Sequence, residues 1–171
     1  MITIRKATVD DITSIITIGT KTFLDTYLAS TPEEAVRSFA KQVFDKNTLK
    51  AEIQSSSVFY HLIYQERILV GYSKIVLNTS NEHINSTQVT KLDRLYVLNE
   101  FHGKSIGKKL FDFFVEFSKK HHQLGMRLYV LIENKRAVNI YTKNNFKIVG
   151  YHDFVVSETI TNPNHVLFLE Y

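Results

Sequence analysis

The sequence predicts an α/β (α+β) fold in which a mixed central sheet is flanked by helices. Three observations carry this. Segments rich in β-branched and aromatic residues alternate with segments whose apolar residues recur every three or four positions. In order they read as one strand, three helices, three strands, a helix, a strand, a helix and two strands. The chain has 171 residues, 44% of them hydrophobic and 22% charged. That is the size and composition of one globular domain, 1–171, able to bury its own core.

Ile2 to Arg5 alternates apolar and polar residues as a short strand does. Thr8 or Asp10 can cap the helix that follows, whose stripe of Ile12, Ile15, Ile16, Gly19 and Phe23 predicts an end near Phe23. Thr31-Pro32-Glu33-Glu34 opens a second helix, with proline in the first turn and two acids facing the positive end of the helix dipole. A third, shorter helix follows Asn47, with Leu49 and Ile53 on one face. Val58–Tyr64 and Ile68–Leu77 form a hairpin around Gln65-Glu66-Arg67. Residues 78–87 are polar and read as a mobile loop, and Val89–Val97 as a strand. Ile106, Leu110, Phe113, Phe114 and Phe117 make a clean helical stripe. Arg127–Ile132 reads as a central strand. Asn134 caps a further helix, which Asn145 ends, because asparagine tolerates the left-handed backbone common past a helix terminus. Phe146–His152 and His165–Tyr171 complete the strands.

Composition excludes several kinds of chemistry. There is no cysteine, so disulfides, thiolate metal sites and cysteine nucleophiles are ruled out. His121 and His122 are adjacent and point different ways, and the other histidines are scattered, so no metal is expected. No apolar run approaches a membrane span, and no leader is visible, so the expected location is the cytoplasm. A net charge of +4 suits an anionic ligand but is too small to indicate nucleic acid. Nine tyrosines and twelve phenylalanines predict an aromatic core and pocket.

Two stretches carry chemistry. The first runs from Leu92 to Leu110 and joins a strand, a loop with His102-Gly103-Lys104-Ser105, and a helix that opens Ile106-Gly107-Lys108-Lys109. The first helical turn has unpaired N–H groups and a positive dipole end, small residues allow close approach, and the lysines add charge. A pyrophosphate fits there, and from spacing alone so does a plain strand-to-helix turn. Neither the Walker loop nor the dinucleotide fingerprint matches the glycine spacing. In the second stretch, Asn134 to Phe146, Tyr141 lies on the helix face of Asn134. A lone tyrosine there can equally be a core residue.

Together the two stretches resemble the GNAT superfamily of acyl-CoA N-acetyltransferases. His102, Ser105 and Gly107 stand at the defined positions of its [QR]-x-x-G-x-[GA] motif. Asn134, Ala137, Tyr141, Asn145 and Phe146 stand at those of N-x-x-A-x-x-x-Y-x-x-x-G-F. Ile4-Arg5-Lys6-Ala7, Asp10-Asp11, Thr22 to Tyr27, Leu92 to Val97 and Gly150 to Phe154 are similar to the polyamine acetyltransferase branch, of the PaiA type. Four positions depart from the pattern. His102 replaces Gln or Arg, Ser105 and Asn145 replace Gly, and Asp93 stands where the branch has Glu.

The resemblance implies a GNAT fold with a mostly antiparallel sheet of about seven strands. It implies acetyl-CoA as co-substrate, with the pyrophosphate on the amides of His102, Gly103, Lys104, Ser105, Ile106, Gly107 and Lys108. The pantetheine arm would pair with the backbone of Leu95, Tyr96 and Val97. Asn134 and Ala137 would lie along that arm, and Lys143 near the adenosine phosphates. Asp93 would take the amine's proton, and Tyr141 would protonate the departing thiolate. For Asp93 the alternative is a surface carboxylate paired with Arg94 or a lysine. Phe23, Asp25, Tyr27 and Asp153 would meet the acceptor. The implied activity is acetyl transfer to a small primary amine, with a polyamine such as spermidine or spermine favoured. Acetylation of a protein N-terminus or lysine, or an idle acyl-CoA-binding regulatory module, are the alternatives. Neither nucleic acid nor membrane is an expected partner, and the resemblance allows a homodimer.

Overall fold

The computed structural model describes residues 1–29, 31–102, 106–157 and 160–171. Its strands are β1 (Ile2–Lys6), β2 (Val58–Gln65), β3 (Ile68–Val76), β4 (Val89–Val97), β5 (Gly125–Leu131), β6 (Lys147–Ser157) and β7 (Ile160–Glu170). Its α-helices are α1 (Ile12–Tyr27), α2 (Glu33–Val43), α3 (Lys46–Gln54), α4 (Ile106–Lys120) and α5 (Lys135–Lys143). The strands form one seven-stranded sheet in the order β1-β2-β3-β4-β5-β7-β6. β4 and β5 run parallel, whereas β1–β2, β5–β7 and β6–β7 are antiparallel. The expected mixed sheet of seven strands flanked by helices is the architecture found.

By its internal packing the chain divides into two compact units. One comprises Met1–Ile75 and Arg94–Asp112, the other Val76–Asp93 and Phe113–Tyr171.

In the first unit the core gathers Ile12, Ile15 and Ile18 of α1, Ala40 of α2, Phe44, Leu49 of α3, Tyr60 and Leu62 of β2, and Tyr72 of β3. The helix starts are set by side-chain chemistry. Thr8 opens a 3-10 turn (Val9–Asp11) whose Asp11 carboxylate accepts the Thr8 N–H at 2.9 Å, so α1 begins only at Ile12. α1 then runs a turn beyond the expected end, because Tyr27 still packs on Phe23, with ring centroids 4.6 Å apart. α3 begins one residue before Asn47, because the Asp45 carboxylate accepts the Thr48 N–H at 2.9 Å and caps it. An ionic link ties α3 to the sheet: Glu52 meets Lys74 Nζ at 2.6 Å and accepts the Tyr60 hydroxyl at 2.5 Å. Lys74 is buried, so this pairing offsets the cost of desolvating its charge.

In the second unit Met126, Leu128 and Val130 of β5, Val166 and Leu167 of β7, Phe114 of α4 and Phe146 are buried. Thr90 of β4 and Ser118 of α4 are joined by a buried hydroxyl–hydroxyl hydrogen bond of 2.6 Å. α4 ends before His121, so the His121–His122 pair lies past the helix; His122 takes φ 56°. β6 and β7 are longer than expected, because the polar run Thr161-Asn162-Pro163-Asn164 still pairs with β6, Asp153 facing Pro163. The polar segment 78–87 is tied down rather than loose. Asn78 and Gln123 exchange hydrogen bonds at 3.0 and 2.9 Å, and Arg127 donates to Thr79 Oγ1 and to the Ser80 carbonyl.

Gly71 of β3 lies against the end of β4: a Cβ there would collide with the Tyr96 carbonyl and press on Val97 at 3.1 Å. Backbone cannot yield as a flexible side-chain tip can, so Gly71→Ala overpacks this contact. We expect a loss of about 1–3 kcal/mol in urea denaturation. Unchanged stability would show that β3 shifts freely against Tyr96.

Candidate active site

Within the first unit, β4 presents Leu95, Tyr96 and Val97, all half-buried. The Tyr96 hydroxyl is 3.3 Å from that of Tyr27 on α1, and the Tyr96 ring stacks on Tyr72 at 5.8 Å. Phe23 lies beside Tyr27, so two of the expected acceptor-side residues meet one of the cofactor-side residues. Burial pushes the Tyr96 hydroxyl well above the ordinary tyrosine range, which leaves it a neutral hydrogen-bonding group. Asp25 is elsewhere: it pairs with Lys21 at 2.9 Å along an exposed face of α1, away from the Phe23 ring.

After β4, a 3-10 turn (Asn99–Phe101) leads to His102, whose Nε2–H donates to the Val97 carbonyl at 2.8 Å. The histidine therefore ties the loop back to the end of the strand. Gly103, Lys104 and Ser105 lie outside the described residues. At the start of α4, Ile106 is buried, while Gly107 and Lys108 face outward. Among the described residues, apart from its chain neighbours and the helix's own backbone, nothing lies within 4 Å of where a Gly107 Cβ would stand, which leaves room for an anion at the helix start. Lys108 pairs with Asp112 at 2.9 Å, so its charge is shared along the helix.

Within the second unit, the parallel ladder of β4 with β5 has three pairs, Val89↔Gly125, Thr90↔Met126 and Lys91↔Arg127. Asp93 follows directly, and its carboxylate meets Lys91 Nζ at 2.5 Å. The pairing with a lysine that sequence allowed is thus present. Lys91 Nζ also lies 5.2 Å from the centre of the Tyr129 ring. That ring is stacked by His152 at 4.6 Å, edged by Phe154 at 6.0 Å, and reached by Arg127 at 5.3 Å. Asn81 donates to its hydroxyl at 3.3 Å. Lys91, Tyr129, His152 and Phe154 escaped the sequence reading. Strand alternation alone would have placed Lys91 on the face of Asp93. Asp153 is exposed and one position out of phase with His152 and Phe154.

The second motif folds as its caps dictate. Asn134 Oδ1 accepts the Ala137 N–H at 3.1 Å, which starts α5 and leaves the Asn134 amide group to donate elsewhere. At the far end Asn145 takes φ 67°. Its N–H donates to the Thr142 carbonyl and that of Phe146 to the Tyr141 carbonyl, both at 3.1 Å, which is a Schellman motif. The hydrophobic contact that accompanies such a motif is here Tyr141 against Phe146, with centroids 5.4 Å apart. This fixes the Tyr141 ring. Its hydroxyl has no hydrogen-bond partner among the described residues, and desolvation pushes it up to about 12. Lys143 is exposed in the last turn of α5, where it also suits the helix dipole.

Among the described residues, no helix is long and apolar enough to cross a membrane, and no group of three or more acidic or histidine side chains could hold a metal.

Residues 27–160 match the family profile of the acetyltransferase (GNAT) domain. The chain is 29% identical over 153 residues to a spermidine N(1)-acetyltransferase of Thermoplasma acidophilum, covering 86% of this chain and 89% of the relative. The crystal structure of a PaiA N-acetyltransferase from Thermoplasma acidophilum in complex with coenzyme A superposes with a TM-score of 0.78 at 25% identity, covering 100% of this chain and 99% of the other. A spermidine N-acetyltransferase SpeG mutant from Vibrio cholerae shares the fold alone, with a TM-score of 0.71 at 14% identity over 99% of this chain and 93% of the other.

The left-handed backbone at position 145 yields a prediction. A β-branched residue is strained there, so Asn145→Val should cost about 1–2 kcal/mol, whereas Asn145→Gly should be neutral or stabilising. Chemical denaturation of both variants checks this. Equal stability for the two would mean that the Schellman turn does not hold α5.

Proposed function

Because the chain belongs to the GNAT acetyltransferase family, we propose that it transfers the acetyl group of acetyl-CoA to a small primary amine, with a polyamine such as spermidine as the acceptor. The observation that carries the transfer chemistry is Tyr141: a phenol fixed by a Schellman turn, desolvated, and protonated well beyond neutral pH. The acceptor is inferred from the relative whose activity is on spermidine. The family match runs through stretches of both compact units, which supports their acting as one domain. Acetyl-CoA is an intracellular metabolite, so the reading also places the chain in the cytoplasm.

The residues present fit this co-substrate. The amides at the start of α4 and the space beside Gly107 suit a pyrophosphate. The pantetheine amides would pair with the backbone of Leu95 and Val97, as an added strand does. Asn134, already turned by its cap bond, would offer its amide group to the arm. Phe23 and Tyr27 would cover the methylenes of the acceptor.

The amine arrives as an ammonium with a pKa of about 10, so it must first lose a proton. Asp93 would accept it, directly or through water. The amine nitrogen then attacks the thioester carbonyl, the N–C bond forms and the C–S bond breaks. The leaving thiolate takes the Tyr141 proton, and the second proton lost from the attacking nitrogen restores the phenol.

Thiol release from acetyl-CoA, measured against a panel of amines, tests the acceptor. We expect the highest kcat/KM with spermidine or spermine. CoA binding with no release for any amine would make the chain a binding module instead. Tyr141→Phe should lower kcat about a hundredfold or more while CoA binding persists, and unchanged turnover would remove Tyr141 from the chemistry. The pH dependence has a definite sign. Burial raises the phenol's pKa, so its protonated form is kept as pH rises, and Tyr141 should introduce no alkaline loss of rate until about 12.

A further inference from the structure

Lys91 precedes Asp93 by two residues on β4, so both side chains project from one face of the strand. Lys91 Nζ stands 2.5 Å from the Asp93 carboxylate and 5.2 Å from the centre of the Tyr129 ring. The lysine side chain is 21% exposed and the aspartate 16%, so the pair is largely withdrawn from solvent. The ring is itself held in place by Asn81, His152 and Phe154. A carboxylate and an aromatic face are the two contacts by which a protein holds an alkylammonium ion. Lys91 has both, and chemically it is a primary amine on an alkyl stem, like the end of a polyamine. It also stands in the β4–β5 ladder, beside the residue assigned as base.

We propose that Lys91 is itself an acceptor: the protein transfers an acetyl group from acetyl-CoA to its own Lys91 Nζ. The inference rests on the reading of Asp93 and Tyr141 given above. Asp93 takes one proton from the Lys91 ammonium. The freed Nζ lone pair attacks the thioester carbonyl, so the Nζ–C bond forms, and the C–S bond breaks as the sulfur leaves with its electron pair. The Tyr141 hydroxyl supplies the proton that turns the thiolate into CoA thiol, and the second Nζ proton is lost from the adduct to regenerate the phenol. The products are Nε-acetyl-Lys91, free CoA and one proton released to solvent from Asp93. No oxidant, metal or further reactant is needed.

Lys74 also has a carboxylate, Glu52 at 2.6 Å, and an aromatic face, the Tyr60 ring at 5.9 Å, so it is the control for those two contacts without Asp93. Lys108 pairs with Asp112 on an exposed turn, and Lys143 is exposed at the end of α5. They serve as internal standards for uncatalysed acetylation. The test is to incubate the intact protein with acetyl-CoA and no amine, then follow intact mass and map the acetylated peptides with time. We expect one acetyl group per chain, on Lys91, gained at least about a hundredfold faster than on Lys108 or Lys143. Asp93→Asn should abolish that advantage and Asp93→Glu restore most of it, while Lys91→Arg should remove the mark and keep the cation. If spermidine releases thiol but Lys91 gains acetyl no faster than Lys108, the proposal is overturned and the acetyltransferase reading stands. Acetylation of Lys91 at the wild-type rate in Asp93→Asn overturns it as well. Absence of both thiol release and Lys91 acetylation overturns the two together.

Discussion

Within the second unit β4 runs alongside β5 through Val89, Thr90 and Lys91, and a strand must find partners for the backbone groups it presents beyond such a ladder. The chain meets part of this demand locally. The Leu98 N–H donates to the Val70 carbonyl at 2.8 Å, and the Val97 carbonyl accepts the His102 ring. The same stretch carries the residues with the most chemistry. Asp93 follows Lys91, and Leu95 to Val97 carry the backbone that a pantetheine arm would use. Gly71 shows how closely the neighbouring strand follows: it leaves no room for a methyl group beside the Tyr96 carbonyl.

The geometry around Tyr141 obeys a different constraint, the need to end a helix. The last carbonyls of α5 have no partners within the helix. A left-handed residue at position 145 turns the chain so that the N–H groups of Asn145 and Phe146 reach two of them. That turn also brings the Phe146 ring onto Tyr141. Terminating the helix and orienting the phenol are therefore one event. Desolvation then keeps the hydroxyl protonated, the state in which it can give a proton to a thiolate.

Much of what depends on local backbone chemistry was legible in the sequence, although the Asp45 cap that starts α3 was not. Asn134 as a cap and Asn145 as a left-handed terminus are readable because their side chains act on residues within three or four positions. The buried hairpin of β2 and β3 is readable from its β-branched and aromatic run. The cluster around Tyr129 is not. Tyr129 and His152 lie on strands separated by β7, and their stacking depends on two ladders at once. One of those ladders is shifted by an irregularity between Ile148 and Gly150, which changes which side chains face Tyr129 and leaves no mark in the composition. The length of β7 was hidden for a related reason. Pro163 reads as a breaker, yet its carbonyl accepts the Ile132 N–H at 3.0 Å and the strand continues through it. Asp25 and Asp153 stand apart from the aromatic groups near them, because their helix face and strand phase separate them from Phe23 and from His152.

If the acceptor amine binds beside Asp93 as proposed, the charges around Tyr129 oppose it. Lys91 and Arg127 both approach the ring, and Asp93 is the carboxylate that pairs with Lys91. An ammonium brought to about 4 Å from the Lys91 ammonium meets a repulsion of about 4 kcal/mol at an effective dielectric constant of about 20. One carboxylate cannot neutralise both. Either the acceptor displaces Lys91 from Asp93, or Lys91 loses its charge. Acetylation of Lys91 would achieve the second, because an amide carries no charge and cannot hold the carboxylate as an ion pair. The carboxylate and the aromatic face would then pass to the incoming amine. On this argument the resident lysine and the acceptor compete for one set of contacts, and self-acetylation decides the competition in favour of the acceptor.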